Sequence, residues 1–134
     1  MSIIVNIKSF EILDSRGIPT LFTEIELDNG IKGSASVPSG ASTGIHEALE
    51  LRDGDLKRFK GKGVLNNINI IQSIIFDVLS GIDVRDQRKI DELLIKIDGT
   101  NNKKKLGANT LLSVSLAAAK AAANYEKLEL YKYL

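Results

Sequence analysis

The sequence has no cysteine, no tryptophan and a single histidine, His46, among its 134 residues. Without cysteine the chain can form no disulfide, no zinc–thiolate site and no thiol nucleophile. One histidine cannot by itself make a metal-binding cluster. The chain also has no Walker A loop and no dinucleotide-binding fingerprint. Composition and motif spacing alone therefore do not identify a reaction.

Strong charge of one sign is absent as well. Lysine and arginine total 18 against 17 aspartate and glutamate residues, for a net charge of +1. Because its charges are nearly balanced, the chain has no strong electrostatic field to attract nucleic acid or an anionic membrane. No apolar run approaches the roughly 20 residues needed to span a bilayer, and residues 1–9 alternate like a strand rather than a signal peptide. We expect a soluble, cytoplasmic domain without a nucleic-acid partner or a membrane span.

The first part of the chain has the period of β-strands. Apolar and polar side chains alternate in three stretches: residues 3–8, 20–27 and 31–37. In the first stretch Ile3, Val5 and Ile7 fall on one face. Asn29-Gly30, between the second and third stretches, is typical of a type I′ hairpin turn. The pattern predicts strands over about 3–37.

The second part has the period of helices. Apolar positions in 64–78 recur every three or four residues, and Asp86 can cap a second helix. A third helix is predicted from about Ala108 to Tyr125. Its alanine run at 117–123 indicates either close packing against a neighbouring domain or intrinsic helix propensity alone. Strands followed by helices predict an α+β fold, in which a three-stranded antiparallel β-meander precedes a helical bundle packed on one face.

Residues 38–63 follow neither period and contain five glycines. A loop of this length is uncommon in a small domain, and such loops are usually functional or mobile. The alternative is that its glycine, serine and threonine residues simply form a flexible connector.

Several strings follow one another in the order in which they occur in enolases. They are DSRG at 14–17, PT at 19–20, VPSGASTG at 37–44, ELRDGD at 50–55, GKGV at 61–64, DGT at 98–100 and GAN at 107–109. Over nearly its whole length the chain resembles the N-terminal capping domain of an enolase. A run of matches in order is far more specific than any one short motif.

The resemblance implies part of a phosphopyruvate hydratase, the glycolytic lyase that reversibly dehydrates 2-phosphoglycerate to phosphoenolpyruvate with two Mg²⁺ ions. In that family the lysine base and three acidic metal ligands lie in a C-terminal barrel domain, which is absent from this chain. The implied organisation is one domain, 1–134, with strands over about 3–37, an active-site loop at 38–63 and helices over about 64–134. The resemblance further implies that the isolated chain is inactive, that the barrel is its partner and that the enzyme is a homo-oligomer, commonly a dimer.

The resemblance assigns the family's mobile active-site loop to these residues: Ser39, Gly40, Ala41, Ser42, Thr43, Gly44 and His46. Ser42 matches the serine that binds the second Mg²⁺ through its carbonyl and hydroxyl oxygens. Mg²⁺ prefers such hard oxygen ligands in octahedral geometry. Gly40 and Gly44 are expected to act as hinges when the loop closes over substrate.

The resemblance also places Arg16 near the family's subunit interface. The neighbouring acidic positions of the family's next strand appear here as Phe22 and Thr23-Glu24, a departure that weighs against the usual interfacial ion pairs. Thr110 and Ser113 replace smaller residues inside a packed helix.

Two alternatives remain open. The chain resembles, more distantly, the caps of other members of the enolase superfamily. It is also compatible with a non-catalytic binding module derived from an enolase cap, which would bind a partner through the face that otherwise meets the barrel. Surface-displayed enolases that bind host proteins occur in the family, but no residue of this sequence indicates such a site.

Overall fold

The computed structural model describes residues 1–37 and 49–134. The strands β1 (Ile4–Leu13), β2 (Pro19–Leu27) and β3 (Lys32–Ser36) form one antiparallel sheet in the order β1-β2-β3. The helices are α1 (Leu65–Ile70), α2 (Phe76–Leu79), α3 (Gln87–Asp98), α4 (Ala108–Tyr125) and α5 (Leu130–Tyr133). A π-helical segment, Ile71–Ile75, joins α1 to α2, and a 3-10 turn, Phe59–Gly61, precedes them. The predicted α+β fold, a meander followed by helices, is confirmed.

The buried face of β1 differs from the predicted one. Ile4 and Ile7 are buried, whereas Val5 is 44% exposed. The pairing of β1 with β2 shifts register between Ile4 and Asn6. A bulge at this position adds one residue to the strand and changes which side chains face the core. The prediction that Ile3, Val5 and Ile7 share one face is therefore wrong. A strict period-2 pattern does not account for a residue inserted by a bulge.

The β2–β3 hairpin is present, but its turn is not type I′. The Gly30 N–H donates to the Leu27 carbonyl over 2.9 Å, and the Leu27 N–H donates to the Ile31 carbonyl over 2.8 Å. Gly30 has a φ of 86°, whereas Asn29 is not among the described residues with positive φ. A three-residue loop with glycine in the left-handed position fits this pattern, since it needs positive φ at one residue instead of two.

The core lies between one face of the sheet and the helices. α4 packs on β2 and β3, while α1 and the π-helical segment pack on β1. Alanines along α4 are buried inside this domain: Ala117, Ala118, Ala119, Ala121, Ala122 and Ala123. The alanine run therefore packs against the domain's own sheet and neighbouring helices. No helix in the described ranges combines the length and apolar character needed to span a membrane.

The backbone of α4 lies very close to the sheet at Gly33. A Cβ atom built on Gly33 would overlap the backbone nitrogen and Cα of Ala121 and lie 2.7 Å from the carbonyl carbon of Lys120. Real Cβ atoms do not approach backbone so closely, and these atoms belong to the helix itself rather than to a flexible side chain. The small residues on both sides thus set the distance between helix and sheet.

A line of buried hydroxyl groups crosses this interface. The Thr23 hydroxyl on β2 donates to Ser113 Oγ on α4 over 3.0 Å and lies 3.1 Å from Ser9 Oγ on β1. The Ser113 hydroxyl in turn donates to the Thr110 carbonyl over 2.9 Å. Because buried polar groups are costly without partners, these bonds restrict how α4 can slide along the sheet.

Both ends of α3 are closed by local hydrogen bonds. The Asp86 carboxylate accepts from the Lys89 N–H over 3.2 Å, which confirms the predicted N-cap. At the other end Gly99 takes a left-handed conformation with φ of 70°. The buried Asp98 carboxylate accepts from Thr100 and, over 2.7 Å, from the Leu106 N–H. Burial opposes ionisation of Asp98, but these bonds outweigh it and lower its pKa.

We predict that Gly33→Ala destabilises the domain by about 3 kcal/mol or more, the upper range for overpacking, because the added methyl collides with helix backbone. Ser34→Ala, the neighbouring change on the opposite face of β3, should stay within about 0.5 kcal/mol. Urea unfolding of both variants measures the difference. Equal stabilities would show that α4 can move away from β3 at little cost.

Candidate functional site

The predicted site residues Ser39, Gly40, Ala41, Ser42, Thr43, Gly44 and His46 lie in the segment 38–48, outside the described residues. What the structure describes is how the chain is held on either side of that segment. These two anchors come from different elements and are considered in turn.

The first anchor is the end of β3. The side chain of Val37 is buried, and its N–H donates to the Leu21 carbonyl over 3.1 Å. The Thr20 hydroxyl donates to the Val37 carbonyl. Both backbone groups of Val37 are therefore bonded to β2, and the chain leaves the sheet from a fixed position.

The second anchor begins at Leu49, whose N–H donates to the Asn102 carbonyl and whose carbonyl accepts from the Ala108 N–H, both over 2.7 Å. Leu51 follows. Its N–H donates to Asn109 Oδ1 over 2.9 Å, and its carbonyl accepts from Asn109 Nδ2 over 3.0 Å. The Asn109 side chain thus pairs with both backbone groups of Leu51, as a neighbouring strand would.

A second asparagine reinforces this pairing from α1. Asn67 Nδ2 donates to the Leu51 carbonyl over 3.0 Å and to the Thr110 hydroxyl over 2.8 Å. Asn67 is fully buried, and its Oδ1 has no partner among the described residues. Gly107 leaves room for Leu51, because a Cβ there would lie 2.7 Å from the Leu51 nitrogen. We refer to Asn67, Asn109 and Leu51 as the asparagine clamp.

Arg52 ties the same stretch of chain to the sheet. Its guanidinium donates to the Pro19 carbonyl at the start of β2 and, over 2.9 Å, to the Lys62 carbonyl. Glu50 Oε1 lies 3.4 Å from Arg52 Nη2 and balances its charge. Since Thr20 holds Val37, the start of β2 contributes to both anchors.

A charged cluster fixes the chain between the clamp and α1. The Asp53 carboxylate accepts from the N–H groups of Leu65 and Asn66, each over 2.9 Å, and so caps α1 from a distant position in sequence. Glu11 Oε2 accepts from the Val64 N–H over 3.0 Å. Negative side chains are stabilised at a helix N-terminus, where free N–H groups and the helix dipole favour them.

Arg58 completes this cluster by forming a bidentate ion pair with Glu11. One of its N–H groups donates to Glu11 Oε2 over 2.8 Å and the other to Oε1. The Glu11 side chain is only 11% exposed. The Arg58 hydrogen bond holds the pKa of Glu11 below its ordinary value, although burial acts in the opposite direction. The same pair raises the pKa of Arg58.

Arg16 lies in the turn between β1 and β2. The Asp14 carboxylate shapes this turn by accepting from the N–H groups of Arg16 over 2.8 Å and Ile18 over 2.9 Å. The Arg16 guanidinium lies 3.5 Å from Asp14 Oδ2, and its side chain is 51% exposed.

Comparison of the sequence with models of known protein families identifies the family of this domain. The family model described as "Enolase, N-terminal domain" matches residues 4–134. The chain belongs to the enolase N-terminal domain family. The expected resemblance is thereby confirmed over almost the full chain, including both anchors and the segment between them.

Within the enolase N-terminal domain, sequence reasoning identified the strings but not the roles of several residues. Asn109 was recognised only as part of GAN, and Arg52 and Asp53 only as part of ELRDGD. Asn67 was not identified at all, because an asparagine between apolar helical positions carries no local signal of what it contacts. A polar residue on the expected buried face of a helix was the one available indication.

We predict that Asn109→Ala lowers the free energy of unfolding by about 1–3 kcal/mol, because it leaves the partly buried Leu51 N–H without its partner. Asn66→Ala removes an exposed amide one residue before the clamp's Asn67 and should change stability by no more than about 0.5 kcal/mol. Urea unfolding followed by far-UV circular dichroism compares the two. A similar effect of both substitutions would contradict the clamp.

The Glu11–Arg58 pair predicts a specific pH dependence. Because folding lowers the Glu11 pKa from its ordinary 4.5, ionised Glu11 stabilises the domain above that pH, and this contribution is lost as the pH falls towards the lowered pKa. Glu11→Gln should therefore be less stable than the parent at pH 7, with the gap narrowing below pH 4.5. Glu92→Gln, at an exposed glutamate whose pair with Arg88 is screened by solvent, should differ from the parent by no more than about 0.5 kcal/mol at pH 7. A constant gap for Glu11→Gln would exclude the linkage.

Proposed function

We propose that this domain supplies the mobile loop around Ser39 to His46 to the active site of an enolase, the lyase that reversibly dehydrates 2-phosphoglycerate to phosphoenolpyruvate. The family match over 4–134 is the observation that carries the proposal. The catalytic base and the acidic metal ligands would come from a C-terminal barrel domain, as they do in the family. The capping domain alone would then be inactive, and the barrel would be its first partner.

The described residues fit a Mg²⁺ site shared between this domain and the barrel better than a site formed by this domain alone. Within the ranges 1–37 and 49–134 no three histidine, aspartate or glutamate side chains are grouped so that they could hold a metal ion. We propose that the two Mg²⁺ ions are held mainly by barrel carboxylates and that Ser42 adds neutral oxygen ligands to the second ion. Neutral ligands complete the octahedral shell of Mg²⁺ without adding negative charge beside an anionic substrate.

The two anchors support a closing role for the segment. Val37 is bonded to β2, and Leu51 is held by the asparagine clamp on α1 and α4. With both ends fixed, any change of conformation is confined to the residues between them. Gly40 and Gly44 are the residues there that can absorb large backbone rotations, and we assign them the hinges. Ser39, Ala41, Thr43 and His46 would move with Ser42 as the segment excludes water from substrate.

We further propose that the complete enzyme is a cytoplasmic homo-oligomer with Arg16 at or near its subunit interface. The exposed position of Arg16 in the β1–β2 turn supports this assignment. The acidic family positions that appear here as Phe22 and Thr23-Glu24 weigh against the family's usual ion pairs at this interface.

Complementation tests the proposal. The capping domain is mixed with a separately produced barrel domain, and phosphoenolpyruvate formation from 2-phosphoglycerate and Mg²⁺ is followed by absorbance. We expect turnover in the mixture and none from either part alone. Ser42→Ala should lower the turnover of the mixture at least about tenfold, the scale on which weakened metal sites lose activity. Ser36→Ala, an exposed residue at the end of β3, should leave it unchanged.

Association of the two parts is measured separately by size-exclusion chromatography. An inactive mixture that nevertheless forms a stable complex would contradict the proposal and favour the non-catalytic binding module. Unchanged turnover with Ser42→Ala would remove Ser42 from the metal site while leaving the capping role intact.

A further inference from the structure

A groove of about 730 Å³ runs between the edge of the sheet and the C-terminal half of α4. One wall is formed by β3 and the other by α4 with the turn that follows it. We call it the β3–α4 groove. Its polar lining residues are Lys32, Ser34, Lys120, Asn124, Lys127, Glu129 and Lys132.

The strand wall of the groove has backbone groups that point away from the sheet. β3 is an edge strand of the described sheet. The backbone hydrogen bonds of Ile31 and Val37 to β2 show that the odd-numbered residues of this strand direct their N–H and C=O groups towards β2. In an antiparallel ladder the alternate residues direct their N–H and C=O groups the other way. Ser34 and Ser36 therefore present donors and acceptors to the outer edge, where an added strand could pair with them.

One hydrogen bond confirms this direction and limits the open edge. Asn124 Nδ2 on α4 donates to the Lys32 carbonyl over 2.7 Å. The Lys32 carbonyl thus faces outward, towards the helix, and is already satisfied. An added strand would pair from Ser34 onward, with the Asn124 amide marking the end of the available edge.

The charge of the groove is one-sided although the chain is nearly neutral. Four lysines and one acidic residue, Glu129, line it, while the net charge of the whole chain is +1. Of these lysines, Lys32 lies 3.9 Å from Glu24 at an exposed position, a weak interaction. The positive charge is therefore a local property of this groove, and it complements an acidic ligand.

We propose that the β3–α4 groove binds an extended acidic peptide segment of another protein. The segment adds a strand to β3 at Ser34 and Ser36, and its carboxylates pair with the groove lysines. In a strand, side chains on one face recur about every 6.8 Å, so alternate acidic residues can reach lysines on the helix wall. Backbone pairing supplies affinity, and the lysines select for negative charge.

An extended peptide fits better than a compact anion. The C-terminal end of α4, at Tyr125, lies at the groove, and helix C-termini carry partial negative charge from unpaired carbonyl groups. That charge opposes a phosphate group bound at the helix end. Carboxylates spaced along a strand can instead lie beside Lys120 and Lys127 without converging on the helix terminus.

The inference is independent of the proposed catalytic role, because none of the groove residues named above forms the two anchors of 38–48. It is tested with the full 134-residue chain and a fluorescein-labelled octapeptide that alternates glutamate and threonine. Fluorescence anisotropy measures affinity, and ¹H–¹⁵N spectra locate the peptide through amide shifts. Lys120→Gln combined with Lys127→Gln should weaken binding about tenfold, or about threefold for each exposed charge pair.

Matched controls distinguish binding in the β3–α4 groove from non-specific electrostatic attraction between the peptide and the protein. Lys89→Gln combined with Lys96→Gln, at two exposed lysines of α3, removes the same charge elsewhere and should leave affinity unchanged. An octapeptide methylated on alternate backbone nitrogens keeps its charge but cannot pair with β3, and it should bind at least about tenfold more weakly. The amide shifts should include Ser34 and Ser36.

Four results would overturn the proposal. The first is no binding of the octapeptide at low salt. The second is equal weakening by the α3 and groove substitutions, which reflects net charge alone. The third is equal binding of the methylated peptide, which would exclude pairing with β3. The fourth is tighter binding of tripolyphosphate or oligothymidine at the same lysines, which would make the groove a simple anion site.

Discussion

The contact between Gly33 of β3 and the backbone of Ala121 in α4 is the constraint on which the rest of the structure depends. No side chain larger than hydrogen fits at Gly33, so the helix lies directly on the sheet. The hydroxyl groups of Thr23 and Ser113 bond across the same interface and oppose sliding. Distance and register of α4 are thus fixed together, by close packing and by the cost of leaving buried hydroxyls unpaired.

The position of α4 determines the contacts that are made at each of its two ends. At its N-terminal end, Asn109 reaches the backbone of Leu51 and fixes the chain as it leaves the segment 38–48. At its C-terminal end, Asn124 reaches the carbonyl of Lys32 and forms one wall of the β3–α4 groove. A helix displaced by even 1 Å would lose hydrogen-bond geometry at both places. The proposed catalytic segment and the proposed peptide groove therefore depend on the same helix, although they share no residues named in either role.

The described carboxylates near the anchors hold backbone groups in place. This use fits a domain that positions a loop rather than one that carries out catalysis by itself. Carboxylates near the anchors are used structurally: Asp53 caps α1, and Glu11 binds Arg58 and the Val64 N–H. The Glu11 pKa is lowered by this partner, which suits a structural group that is ionised at neutral pH rather than a proton-transfer residue. This use of the described acidic residues agrees with the proposal that the enolase barrel supplies the base and most metal ligands.

Local pattern was sufficient for much of the fold. The three strands, the position of the hairpin and the Asp86 cap depend on residues a few positions apart, and so does the extent of α4. The ordered strings identified the enolase family because the family's residues recur in sequence whether or not their contacts are understood. Ser42 and its neighbours remain a prediction made from that resemblance, since the segment 38–48 lies outside the described residues.

What only the tertiary structure decided are relations between distant parts of the chain. The bulge near Ile4 set the buried face of β1, because pairing with β2 and packing on the helices overrode simple alternation. Asn67 and Asn109 bind Leu51 across 16 and 58 positions of sequence. The lysines of the groove come from β3, α4 and the segment beyond it, and no sequence period relates them. Periodicity and caps are fixed by neighbouring residues, whereas such contacts exist only once packing has brought separate elements together.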